Sequence, residues 1–129
     1  LIHRHFIAPV LVAAMLAGCT DGCENVVLER ARAPFGNADA VAFERNCGAT
    51  TGYSTQVSIV DRDDAPTDAG NILIASGRSF AEDSNRPTVS LEWLGSEQLS
   101  VRYDASLAIL SHHDRYGRTI ISLTPMSGN

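Results

Sequence analysis

The sequence predicts a single all-β domain, an antiparallel meander of about six to seven strands arranged as a sandwich or an open barrel. Three observations predict it. No window longer than eight residues carries apolar residues at the 3.6-residue period of a helix. Val89, Leu91 and Trp93, then Leu99, Val101 and Tyr103, alternate with polar residues at the period of two that puts one face of a strand on a core. Between such runs, clusters of Gly, Pro, Asn, Asp and Ser recur at short intervals.

Glu24 to Arg32 is the first expected strand, ended by the turn residues Pro34-Phe35-Gly36-Asn37. Ala38 to Asn46 follows, with Val41 and Phe43 on one face and Ala42 and Glu44 on the other. Tyr53 to Val60 is the third, sharing Tyr53, Thr55, Val57 and Ile59 on a face. Asp61 to Gly70, with four aspartates and Pro66, reads as an exposed loop, and Asn71 to Ala75 as a short buried strand between Gly70 and Gly77. A second polar loop, Gly77 to Pro87, leads into the clearest signal in the chain, a β-hairpin from Val89 to Tyr103 turning at Leu94-Gly95-Ser96-Glu97. Leu107 to Ser111 and Thr119 to Leu123 are expected to pair as a last hairpin around His112 to Arg118. The small polar tail from Thr124 to Asn129 is expected to fray.

The first 18 residues read differently. A short basic start, His3-Arg4-His5, precedes an apolar run from Phe6 to Ala17. That run is well short of the roughly 20 residues needed to span a bilayer, and it reads as a cleavable export signal. Leu16-Ala17-Gly18-Cys19 resembles a bacterial lipobox, which implies cleavage before Cys19 and acylation of its thiol. Acyl chains gain about 0.8 kcal/mol per buried methylene, and more than one makes anchoring stable. The expected organisation is a signal over residues 1–18 and, over residues 19–129, one β domain on a short lipid tether. Thr20 after the acylated cysteine implies the periplasmic side of the outer membrane if the source has one.

Ten arginines and no lysine stand against fifteen Asp plus Glu, a formal charge of −5. Nucleic acid, which demands concentrated positive charge, is not an expected partner. With Cys19 taken by lipid, Cys23 and Cys47 remain as an even pair in an oxidising compartment, and a disulfide between them is expected. Closing a loop of about 25 residues would stabilise the fold by about 3.5 kcal/mol on the chain-entropy account. A redox-active pair is the weaker reading, because no C-x-x-C spacing lowers a thiol pKa.

Cys23-Glu24-Asn25, then Ala40 through Gly52, including Glu44-Arg45-Asn46-Cys47-Gly48-Ala49-Thr50-Thr51-Gly52, then Ser54-Thr55-Gln56-Val57-Ser58-Ile59, Gly70-Asn71-Ile72 and the Trp93 hairpin, together resemble a family of small bacterial proteins of unknown function. Many of that family carry lipoprotein signals. The resemblance implies no assigned activity and so carries over no catalytic residue; its two cysteines fall on Cys23 and Cys47.

The candidate binding surface is the loop after Cys47. Gly48 and Gly52 permit close backbone approach, and Thr50, Thr51, Tyr53, Ser54, Thr55 and Gln56 offer neutral hydrogen-bonding groups suited to a glycan or an envelope protein. Against this, a disulfide-anchored turn can spend such hydroxyls on its own backbone. Gly52-Tyr53-Ser54-Thr55-Gln56 is no nucleophile elbow, since the last glycine is missing and a strand follows. His112-His113-Asp114 reads as a solvated hairpin tip rather than a metal site, because neighbours on a strand face opposite ways. Asp61, Asp63, Asp64 and Asp68 lack the glycine and closing glutamate of an EF-hand loop. Trp93, Tyr103 and Phe43 are expected in the core rather than on a sugar-stacking platform.

No nucleophile, base and orienter converge in the sequence, and no cofactor or metal is implied. The expected function is a membrane-anchored binding or structural module of the cell envelope. The alternative is a periplasmic inhibitor or stress lipoprotein acting on a cell-wall enzyme.

Overall fold

The strands predicted from the period of two form, and they stack as two sheets. The computed structural model describes residues 22–48 and 51–127; the signal, Cys19 and Thr50 lie outside them. Nine strands and no helix occur among the described residues: β1 (Glu24–Arg32), β2 (Ala38–Asn46), β3 (Ser54–Asp61), β4 (Leu73–Ser76), β5 (Val89–Gly95), β6 (Gln98–Tyr103), β7 (Ala108–His112), β8 (Arg115–Tyr116) and β9 (Thr119–Pro125). One sheet runs β1-β2-β3-β4-β7 and the other β5-β6-β9-β8. The all-β expectation holds, and of its two architectures the sandwich is the one adopted.

Ala40 and Ala42 of β2, Val57 and Ile59 of β3, and Leu73 and Ala75 of β4 face Val89 and Leu91 of β5, Leu99 and Val101 of β6, and Ile121 of β9. Burying each larger aliphatic side chain here contributes about 2 kcal/mol. Trp93 and Tyr103 pack at the margin of this core as expected, and the Trp93 indole N–H donates to Ala31 O at 2.8 Å, joining the edge of one sheet to the edge of the other.

The chain departs from a simple meander in its last third. β7 pairs with β4, not with β9, and β9 lies parallel to β6. His113 N–H donates to Ile72 O, and Ile121 N–H to Asp114 O, so residues 113–114 carry the chain from one sheet to the other. Alternation specifies which face of a strand is buried and is silent about its partner. β4, with only four residues and a free side, takes β7. The His112 segment is therefore a crossover, exposed as expected but not the tip of a β7–β9 hairpin.

β2 is buried on both faces. Val41 and Phe43 point away from the other sheet and are still fully buried, because the loop from Arg62 to Ile72 folds back over that face. Outward-facing side chains of β1 and β2 grip the loop's carbonyls: Asn25 Nδ2 donates to Pro66 O and Asp68 O, Arg30 Nη2 to Asp64 O, and Arg45 Nη1 to Thr67 O. The Asn71 side chain bonds both the N–H and the C=O of Ile59, standing in for a strand where β4 has not yet begun. Gly70 is obligatory on space alone, since a Cβ there would lie 2.4 Å from Leu73 O.

Three of the four outermost strands contain a bulge. Its extra residue is Leu28 in β1, Leu94 in β5 and Leu110 in β7, and the fourth outermost strand, β8, is two residues long.

Candidate functional site

Cys23 and Cys47 are disulfide-bonded. They flank the Glu24–Asn46 pairing, so the bridge closes one end of the β1–β2 ladder and fixes the start of the candidate loop. Gly48, at φ 118°, accepts from both the N–H and the hydroxyl of Thr51, and its own N–H donates to Asn46 Oδ1. Further along, Ser54 Oγ donates to Ala75 O, Thr55 Oγ1 to Gly77 O, and Gln56 bridges Ser54 Oγ and the Gly70 N–H. The polar side chains of Thr51, Ser54, Thr55 and Gln56 are thus engaged by the fold itself.

What stays open is a cavity of about 450 Å³ lined by Arg45, Asn46, Gly48, Thr51, Gly52 and Tyr53. The Tyr53 ring is 53% exposed, and the Arg78 guanidinium lies 4.8 Å from its centroid, within cation–π range. Arg78 also lines a second groove with Phe80, Arg86 and Asp104. Sequence reasoning found Tyr53 and missed Arg78, because the link runs through Gly77 N–H to Tyr53 O, between residues 24 positions apart.

The opposite end of the sandwich carries apolar side chains on its turns. Phe35, in the β1–β2 turn, is 77% exposed, and Leu94, the bulge residue of β5 next to the β5–β6 turn, is 60% exposed; Tyr116 and Ile120 flank the β8–β9 turn, both exposed. The Ala31–Trp93 bond holds the first two turns at the same end. Arg118 Nε pairs with Glu97 at 3.3 Å, and Ile120 N–H donates to Glu97 O, which brings the third turn to the second. Tyr116 also borders a groove of about 360 Å³ with Asp61, Asp64 and Asp68. Phe35 was legible only as part of a turn; a large aromatic in a Pro-Gly-Asn turn has no local reason to be there, and that was the available signal.

Several ionisable groups serve architecture. Asp39 is fully buried, with Arg30 Nη1 at 2.8 Å, Arg32 Nε at 3.4 Å and the Asp63 N–H at 2.9 Å, and Arg32 also bonds Asp63. Burial pushes the Asp39 carboxyl up, and the Asp63 amide with Arg30 and Arg32 more than reverses that, holding it below the ordinary carboxylate range. Asp104 is held down to about 2 by the Ser106 N–H, the Ser106 hydroxyl and Arg86. Burial pushes Glu29 up, offset in part by a main-chain hydrogen bond with Leu91. Ser79 Oγ donates to Glu44 and lies 3.3 Å from Thr55 Oγ1, a buried network with no histidine in it. Asp63 is turned to Arg32, and among the described residues no three His, Cys, Asp or Glu side chains converge on a metal-sized point.

No family model, curated protein or solved structure matches the chain. The functional reading therefore rests on the two ends just described.

Proposed function

We propose that the protein is an exported, lipid-anchored binding module of the cell envelope that meets a partner protein through the turns farthest from its anchor. The observation that carries this is polarity of the molecule. The disulfide pins the chain at one end, and Cys19 precedes Cys23 by four residues, a reach of about 14 Å at full extension. Phe35, Leu94 and Tyr116 crown the other end, a strand length of about 30 Å away. Exposed apolar side chains presented on several turns at one end mark an interaction surface. The acidic charge of the chain argues against a nucleic-acid partner.

Two measurements test it. A Cys19→Ala variant is expected to leave the membrane fraction for the soluble envelope fraction. A photo-crosslinking side chain at position 35 is expected to capture one envelope protein in cells, while the same group at position 53 does not. Retention of the Cys19→Ala variant, or identical adducts from both positions, would sink the proposal.

A second reading is favoured by the groove of Asp61, Asp64 and Asp68 beside Tyr116. Their carboxylates suit a cationic side chain of a basic cell-wall hydrolase, with steering by opposite charge. If the captured partner is such an enzyme, its activity is expected to fall on titration with the protein; an enzyme unaffected at saturation returns the module to a purely structural role.

A further inference from the structure

We infer that the disulfide end of the sandwich is a lipid-contacting surface, with Tyr53 and Phe80 resting in the headgroup layer of the bilayer that holds the anchor. This rests on the proposed acylation of Cys19.

The surface is continuous. From Cys47 the neighbouring Asn46 and Gly48 line a cavity whose far wall is Tyr53. The Arg78 guanidinium lies over that ring, and Arg78 shares the adjoining groove with Phe80, which is 47% exposed. Two half-exposed aromatic rings flanking an arginine is the composition of an interfacial anchor: amphipathic or apolar rings occupy the headgroup region, and a long cationic side chain keeps its charge at the water boundary while its stem runs along them.

Tether length selects the bilayer over a soluble occupant. Four residues allow about 14 Å between the acylated cysteine and the bridge, a gap too narrow for a second folded protein to sit between this end and the lipid. The hydroxyls of Thr51, Ser54 and Thr55 are engaged internally, so these three do not depend on water for a partner. The charges lining the two cavities are matched rather than positive, since Arg45, Arg78 and Arg86 stand against Glu82, Asp83 and Asp104, with Arg78 3.8 Å from Glu82 and Arg86 2.5 Å from Asp104. Contact is therefore driven by the rings and not by attraction to anionic lipid, and it is insensitive to salt.

The test uses the full-length acylated protein in vesicles of phosphatidylcholine, with and without bromine on the upper acyl chain, which quenches tryptophan on contact. Tyr53→Trp and Phe80→Trp each add a reporter at this end, and Phe35→Trp adds one at the other; Trp93 is the shared background. The fluorescence added by Tyr53→Trp and by Phe80→Trp is expected to fall about twofold in brominated vesicles, as for a side chain at the headgroup–acyl boundary. That added by Phe35→Trp is expected to be unchanged, and neither result to move between low and high salt. Having two reporters guards against one that perturbs folding. Equal quenching at both ends, or none at either, with the lipid confirmed by intact mass, would overturn the inference and leave the anchor standing. A mass showing Cys19 unacylated would overturn both.

Discussion

On the face of β2 and β3 turned toward the second sheet, Ala40, Ala42, Val57 and Ile59 meet aliphatic side chains of β5 and β6. On the opposite face, Val41 and Phe43 are buried as completely, yet what lies over them is a loop held by Asn25, Arg30, Arg32, Arg45 and Asp39. The first face is non-directional and depends on volume and area. The second depends on a few directional bonds, several of them charge-assisted, aimed at main-chain carbonyls. One sheet thus has a core that many sequences could fill and a cover that few could hold.

The comparison can be broken from either side. Phe43→Ala, which empties a fully buried aromatic site under the loop, is expected to cost about 4 kcal/mol, read as a lower urea midpoint. If the loop were a loose cover it would collapse into the space and the loss would stay below about 1 kcal/mol. Asp39→Ala comes next, at about 3 kcal/mol, because two arginines lose their buried partner; it is expected to expose residues 61–70 to protease while Leu99→Ala, of similar cost, does not. Reduction of Cys23–Cys47, or Cys23→Ala with Cys47→Ala, is expected to lower stability by about 3 kcal/mol, read as a lower urea midpoint with the far-ultraviolet circular dichroism of the sheets unchanged.

The pH dependence sharpens the same contrast. Asp39 and Asp104 have folded values below their unfolded ones, so the stability they contribute is present above about pH 4 and lost as pH falls through the folded values, about 2 for Asp104. Asp39→Asn is expected to weaken the fall of the urea midpoint on acidification below about pH 4. Glu29 has the opposite sign: its raised value makes the ionised form a cost that is present above its folded value and relieved in acid. Glu29→Gln is accordingly expected to stabilise slightly at neutral pH, within about 0.5 kcal/mol, and not at pH 3.

The inter-sheet core was legible because the period of two announces it; Val89 to Tyr103 folds as read, and so does the disulfide. The cover was not, since an arginine that grips a carbonyl 34 residues away looks in sequence like any solvated charge. The partner of β9 was hidden for a different reason: parallel pairing across a crossover leaves no local trace. The bulges did leave one. Val26-Val27-Leu28, Trp93-Leu94 and Ile109-Leu110 are runs where alternation fails, and each contains an inserted leucine. At the candidate site, the two glycines and Tyr53 were found from composition, and Thr51 is spent on the Gly48 carbonyl as a local turn can do, whereas the internal use of Ser54, Thr55 and Gln56 depends on contacts with β4, Gly77 and the Gly70 turn that composition does not reveal.

Those inserted leucines bear on how copies of the protein behave side by side. An uninterrupted outer strand is a template on which another chain can add its own strand, and confinement to a surface multiplies such encounters. Here β1, β5 and β7 each break register once, and β8 is too short to offer a row of amides. At β1, β5, β7 and β8 the sandwich thus offers a neighbouring copy no long uninterrupted outer strand to add to.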